Sequence, residues 1–211
     1  MNCIDFVDEN TCCSTCGKKL KSNIAIIYNS KFLGRTCAKN EGIDTSQLPN
    51  FTKGLVIEET SDLSTPALKN TQLDIGINRK RCLEYLFLRS VKLADFKSMK
   101  TSTLNDIYER YQNNTISDED YNHISNLIKK MNRENTIFSE KNLHFCYLCY
   151  VELNRIIRTF EKKDFFEDIL IFLKRNAYLS EKQFQSIKRN YKINIIYTSP
   201  NRSKQLISPQ T

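Results

Sequence analysis

From residue 78 to residue 198, apolar side chains recur at intervals of three and four, the period of helices with one buried face. Cys82, Leu83, Leu86, Phe87, Val91 and Phe96 mark a first helix, and Leu104, Ile107, Tyr108 and Tyr111 a second. Ile116, Tyr121, Ile124, Leu127, Ile128 and Met131 mark a third. A long fourth carries Leu143, Cys146, Cys149, Leu153, Ile156, Ile157 and Phe160, and a fifth Phe165, Phe166, Ile169, Leu170 and Leu173. Phe184, Ile187 and Tyr191 mark a sixth, which ends before an extended run, Ile193–Tyr197.

One signal repeats at an offset of 63 residues: Ile116-Ser117-Asp118-Glu119-Asp120-Tyr121 and Leu179-Ser180-Glu181-Lys182-Gln183-Phe184. In each, a serine N-cap precedes by three residues a side chain able to reach back. An apolar residue before the cap stands five positions ahead of an aromatic one. This is a capping box with a hydrophobic staple, complete in the second copy and Asp-substituted in the first. Each follows a helix ending in asparagine (Asn113-Asn114; Asn176), a residue suited to a left-handed C-cap. Two related helix-turn-helix units are therefore expected.

The N-terminal pattern differs. Ile24–Tyr28 has strand character, Asn29-Ser30-Lys31 suits a turn, Phe32-Leu33 returns, and a short helix can start near Cys37. Residues 44–77 are rich in Ser, Thr, Asn and Pro and read as a linker, with one short apolar run, Leu55-Val56-Ile57, as an edge strand. The predicted organisation is a cysteine-rich module over 1–43, a linker over 44–77, a helical domain over 78–198 and a flexible tail over 199–211. The fold class is mainly α: a small zinc-ribbon or treble-clef-like module followed by a helical bundle.

Composition sharpens this picture at two points. With 5 Gly and 4 Pro in 211 residues, an all-β fold full of tight turns is disfavoured. Charge is uneven: residues 1–77 hold 8 Lys+Arg against 9 Asp+Glu, and residues 78–211 hold 24 against 15. Between 169 and 211, Lys174, Arg175, Lys182, Lys188, Arg189, Lys192, Arg202 and Lys204 face one acid, Glu181. Such a surface attracts phosphate backbones or an acidic protein face. The longest apolar run, Ile169–Leu173, is core-sized, so no membrane span is expected. No basic region precedes an apolar stretch at the N-terminus, which points to a cytoplasmic, reducing compartment, where the eight cysteines serve as thiols or ligands.

The candidate chemistry is Cys13-Ser14-Thr15-Cys16-Gly17, answered by Gly34-Arg35-Thr36-Cys37. Two thiolates two residues apart, closed by a glycine, approach one ion, and a third cysteine joins them. Sulfur-rich tetrahedral sites in a reducing cell favour Zn2+. A second C-x-x-C needs a cysteine at position 40, where Asn40 stands. Cys12 is the nearest substitute as fourth ligand; Cys3, Cys82 and water remain open. The site is expected to be structural, since no Glu or His is placed to work on a bound water. His144-Phe145-Cys146-Tyr147-Leu148-Cys149 offers a second ligand set, but its cysteines share the apolar face of a helix and are expected to pack in the core.

Cys13-Ser14-Thr15-Cys16-Gly17-Lys18-Lys19-Leu20 followed by Gly34-Arg35-Thr36-Cys37-Ala38-Lys39 resembles a short cysteine-rich module of phage and mobile-element proteins, with the pattern C-x-x-C-G-[RK]-x-L … G-x-x-C. The Leu-Ser-Glu-Lys-Gln segment is similar to helical segments that accompany it. The resemblance implies a metal-binding module in a viral or mobile-element context, hence a host-cell cytoplasm, and no reaction.

With two histidines and no nucleophile or phosphate motif, the expectation is a non-enzymatic, zinc-containing protein that binds DNA or RNA. Its contact residues are Lys174, Arg175, Lys182, Lys188, Arg189 and Lys192, and no small-molecule substrate is expected. A phage-type inhibitor or adaptor, setting the same basic face on an acidic surface of a host complex, is the alternative.

Overall fold

A computed structural model of the chain describes residues 1–52, 71–97, 99, 101–159, 163–190, 197, 199 and 200, with backbone alone at 22, 71–77, 189 and 190. The chain is mainly helical, with a small N-terminal sheet. The described residues form two compact units, one of residues 1–52 and 71–84 and one from residue 85 onward.

In the first unit, β1 (Cys3–Phe6), β2 (Ile24–Tyr28) and β3 (Lys31–Leu33) make an antiparallel sheet in that order. Cys3 pairs with Ile27 on one side of β2, and Ile26 with Leu33 on the other. Asn29 and Ser30 both take positive φ (47° and 63°), giving the hairpin a turn whose twist suits the strands it joins. Helix α1 (Arg35–Asn40) follows β3 directly. Cys13, Leu20, Ala25, Ile26, Leu33, Ala38 and Leu48 form the core of this unit.

Residues 45–52, assigned above to the linker, are built into this unit. Ile4 N–H donates to the Pro49 carbonyl (2.8 Å) and Phe51 N–H to the Ile4 carbonyl (3.0 Å), so the chain covers the free edge of β1. Phe51 is fully buried. Asn50 N–H donates to the buried Glu84 carboxylate (2.9 Å) of α2 (Thr71–Phe87), and Lys80 Nζ to the Ser46 carbonyl. Helix α2 starts seven residues before the expected boundary at 78.

In the second unit, α3 (Ser102–Gln112), α4 (Asp118–Arg133), α5 (Glu140–Thr159), α6 (Asp164–Asn176) and α7 (Glu181–Asn190) follow the sequence periodicity closely. The first expected helix is interrupted. After Phe87 the chain widens into a π turn, Leu88–Lys92, which closes with Leu93 N–H on the Leu88 carbonyl (2.9 Å). The π turn holds Arg89 inside: Nε donates to the Met99 carbonyl (3.0 Å), and the guanidinium lies 4.3 Å from the Phe138 ring centre. Helix α5 packs on α4, α6 and this turn. Phe145 of α5 lies 5.3 Å from Phe184 of α7, and Tyr197 stacks on Phe184 at 5.6 Å.

Both repeated turns are reciprocally capped. Ser117 Oγ accepts from Asp120 N–H (3.2 Å), and Ser117 N–H donates to Asp120 Oδ2 (3.0 Å). Ser180 and Gln183 make the same exchange at 3.3 and 2.9 Å. The Asp-substituted copy is therefore complete, because a shorter carboxylate still reaches the cap amide. The preceding C-caps differ from expectation at one position. Asn114 takes the left-handed conformation (φ 56°), but in the second turn Ala177 does (φ 55°). Asn176 stays helical and donates from Nδ2 to the Phe172 carbonyl (2.9 Å).

No described helix is long and apolar enough to cross a membrane. Of the expected tail, the Ser199 carbonyl accepts from Asn135 Nδ2 (3.2 Å). The edge strand at 55–57, Tyr191 of the sixth expected helix, residues 193–196 of the extended run and the tail from 201 lie outside the described residues.

Candidate metal centre

The cysteine knuckle is a narrow hairpin of its own. Cys12 bridges to Lys19, Leu20 N–H donates to the Thr11 carbonyl (3.0 Å), and Cys13 N–H to the Lys18 carbonyl (2.8 Å). Gly17 closes the tip: its N–H donates to the Cys13 carbonyl (2.9 Å) at φ 69°, a conformation that a β-carbon disfavours. The knuckle is pinned to β3 by Ser14 N–H on the Phe32 carbonyl (2.7 Å) and by Phe32 N–H on Ser14 Oγ (3.0 Å). That register sets the knuckle against the start of α1.

Three sulfurs meet there. Cys13 (buried), Cys16 (exposed) and Cys37 (half-buried, in α1) place their Sγ atoms within 4.8 Å of one another. A tetrahedral ion with thiolate bonds of about 2.3 Å sets sulfur–sulfur distances of about 3.8 Å, so small side-chain rotations suffice. Burial opposes the charged form of Cys13. The amides of Gly34 (3.5 Å from Sγ), Cys16 and Thr15, together with the Cys37 thiol, outweigh it and lower its pKa to about 6. Cys37 moves the other way: the neighbouring sulfurs of Cys16 and Cys13, with burial adding, push it up to about 12. The pocket is built to hold negative charge, yet three thiolates this close repel. A cation among them removes that conflict, displacing the remaining protons. The all-sulfur donor set fits a borderline-soft ion.

The other sequence candidates are not brought to this point. The bridge to Lys19 places Cys12 beside Cys13 in an extended hairpin, where consecutive side chains diverge. Cys12 is exposed, and its sulfur lies 3.6 Å from the Asn10 carbonyl. Cys3 and Cys82 are fully buried in β1 and α2. Cys146 and Cys149 lie in the core face of α5, where burial pushes both thiols up. The eight cysteines form no disulfide.

The basic residues are divided. Lys182 and Lys188 are exposed on α7, opposite buried Phe184 and Ile187, and Arg175 is exposed in the last turn of α6. Lys174 is half-buried, its ammonium 5.5 Å from the Tyr150 ring centre. The Arg189 side chain and Lys192 lie outside the described residues.

A second basic surface was not anticipated. A cleft of about 1110 Å³ in the first unit is lined by all three cluster cysteines and by Lys18, Lys19, Lys21, Arg35 and Lys39. Its floor is apolar, with Ile4, Leu20 and Ile26 among the lining residues, and its acid is Asp44, which accepts from Ser46 N–H (2.9 Å). A signal for it exists in the sequence: residues 10–40 contain Lys18, Lys19, Lys21, Lys31, Arg35 and Lys39 and no Asp or Glu. Charge counted over 1–77 averages this run against acids elsewhere. No protein-family model, curated protein or solved structure matches the chain.

Proposed function

We propose that the chain is a non-enzymatic, zinc-stabilised nucleic-acid-binding protein. One observation carries the metal half of this reading: three thiols from two separate elements converge to within 4.8 Å. The order of parts (knuckle, hairpin, helix carrying the third ligand) is treble-clef-like and gives a small domain the staple that its modest core calls for. Zinc is chosen by the sulfur ligands. Cys13, Cys16 and Cys37 hold it, and its contribution is folding energy and a fixed knuckle.

The nucleic-acid half rests on charge. The chain carries a formal net charge of +8. The α6–α7 pair is a helix, a four-residue turn and a capped second helix, whose outer face carries Lys182 and Lys188. Those side chains suit phosphate contact, with Gln185 beside them suited to a base edge. The α3–α4 pair, opening on Asp118, Glu119 and Asp120, does not suit it.

The test is the salt dependence of binding to duplex DNA and to single-stranded RNA. Each phosphate contact gives a slope of roughly −0.9 in log affinity against log salt on duplex DNA. The double variant Lys182→Glu/Lys188→Glu should weaken binding and flatten that slope. Salt-insensitive, nuclease-insensitive capture of a protein partner instead favours the adaptor reading.

A further inference from the structure

The cluster offers a metal three ligands, and the fourth can be traced. All 8 cysteines and both histidines of the chain are among the described residues. Beyond Cys13, Cys16 and Cys37, none lies in the sulfur group. No fourth thiolate or imidazole therefore stands within 4.8 Å of the three sulfurs. Glu41 is the nearby carboxylate tied to the knuckle, and its Oε1 is held by Thr15 Oγ1 at 2.5 Å. Cys16 is exposed, and the three cysteines line the basic cleft, so the remaining face of the cluster opens into it.

We propose that this open position is a phosphate site: a phosphate monoester enters the cleft and supplies an oxygen as the fourth ligand. The inference rests on the zinc reading above. A dication with three thiolates carries net charge −1, which alone repels an anion. Lys18, Lys19, Lys21, Arg35 and Lys39 outweigh it, opposed by Asp44, and leave the cleft cationic with the metal in place. A three-ligand zinc site keeps its fourth position for water or an exchangeable ligand. A dianionic monoester combines a strong oxygen donor with the charge that the lysines attract. A diester within a chain carries one charge and a more hindered oxygen. The ligand class is therefore a terminal phosphate, free or at a nucleic-acid end.

The experiment uses the full chain loaded with Co2+ and read by visible absorption. Probes are inorganic phosphate, an oligonucleotide with a 5′-phosphate and the same oligonucleotide without it. The expected spectrum is that of three sulfurs and one oxygen, with ligand-field bands that shift and saturate with phosphate. A shift with the phosphorylated oligonucleotide at lower concentration assigns a nucleic-acid end; a shift with inorganic phosphate alone assigns a free anion. Lys18→Ala/Arg35→Ala should weaken phosphate at least about tenfold, and its phosphate-free spectrum, still that of three sulfurs and one oxygen, reports whether the metal site is intact. A four-sulfur spectrum, bands indifferent to every phosphate, or bands that change only in Glu41→Gln overturns the proposal while sparing the metal reading. Absence of cobalt bands overturns both.

Discussion

At the scale of single residues, the knuckle depends on backbone conformation as much as on sulfur. Gly17 turns the chain at φ 69°, and a β-carbon placed there meets no atom within 4 Å. Gly17→Ala therefore carries a conformational penalty and no steric one. We expect it to cost about 1 kcal/mol, seen in metal competition or in the unfolding of the N-terminal unit. The α5 cysteines make the opposite case. Burial at both sites favours a neutral, apolar atom. Cys146→Ser puts a hydroxyl there and should destabilise by about 2 kcal/mol in denaturant melts, with bound metal unchanged. Equal loss of metal in that variant would reopen the second C-x-x-C as a ligand pair.

At the scale of elements, the α3–α4 turn concentrates several interactions on one carboxylate. Asp120 takes Nη2 and Nε of Arg110 at 2.7 and 3.0 Å and the Ser117 amide at 3.0 Å. The Arg110 hydrogen bond leads, burial opposes it, and the cap adds to it; together they lower the Asp120 pKa to about 2. A lowered folded-state pKa means stability present above the unfolded value of about 4 and lost as pH falls through about 2. Arg110 is 44% exposed, so solvent screening trims the pair. We expect Asp120→Asn to cost about 1–2 kcal/mol at pH 7 and almost nothing at pH 2, measured by urea unfolding across that range. A loss that is equal at both pH values would remove the ion pair from the account.

The same elements show what the sequence can express. Helices α3 to α7 were legible from their buried stripes, and the α3–α4 and α6–α7 turns also from a serine cap that follows an asparagine. Strand β1 was not: it is four residues long and turns Asp5, with Cys3, to the buried side, against any hydrophobic alternation. The segment at 45–52 was equally hidden. Its composition is that of a linker, and only pairing with Ile4 and Glu84, remote in sequence, makes it structure. Ala177 takes the left-handed position while Asn176 stays helical with its amide on Phe172, a choice that composition cannot foretell.

At the scale of the whole molecule, the sulfur cluster was readable from spacing, since C-x-x-C-G and a later cysteine state a ligand set directly. The fate of Cys12 was not, because adjacency in sequence says nothing of which side of a hairpin a residue faces. The basic cleft escaped for a related reason. Folding gathers five of the six basic residues of an acid-free run, whereas net charge over a domain blurs them. The chain thus presents two cationic surfaces, one beside the thiols and one on α7, each in its own unit.

The central claim is that one metal ion is held by Cys13, Cys16 and Cys37. Native mass spectrometry of the full-length chain, purified without added metal and compared with single serine variants, tests it most directly. The account predicts one zinc per chain, lost in Cys13→Ser, Cys16→Ser and Cys37→Ser and retained in Cys12→Ser. A chain that carries no metal when zinc is supplied, or whose metal survives Cys37→Ser, would contradict it.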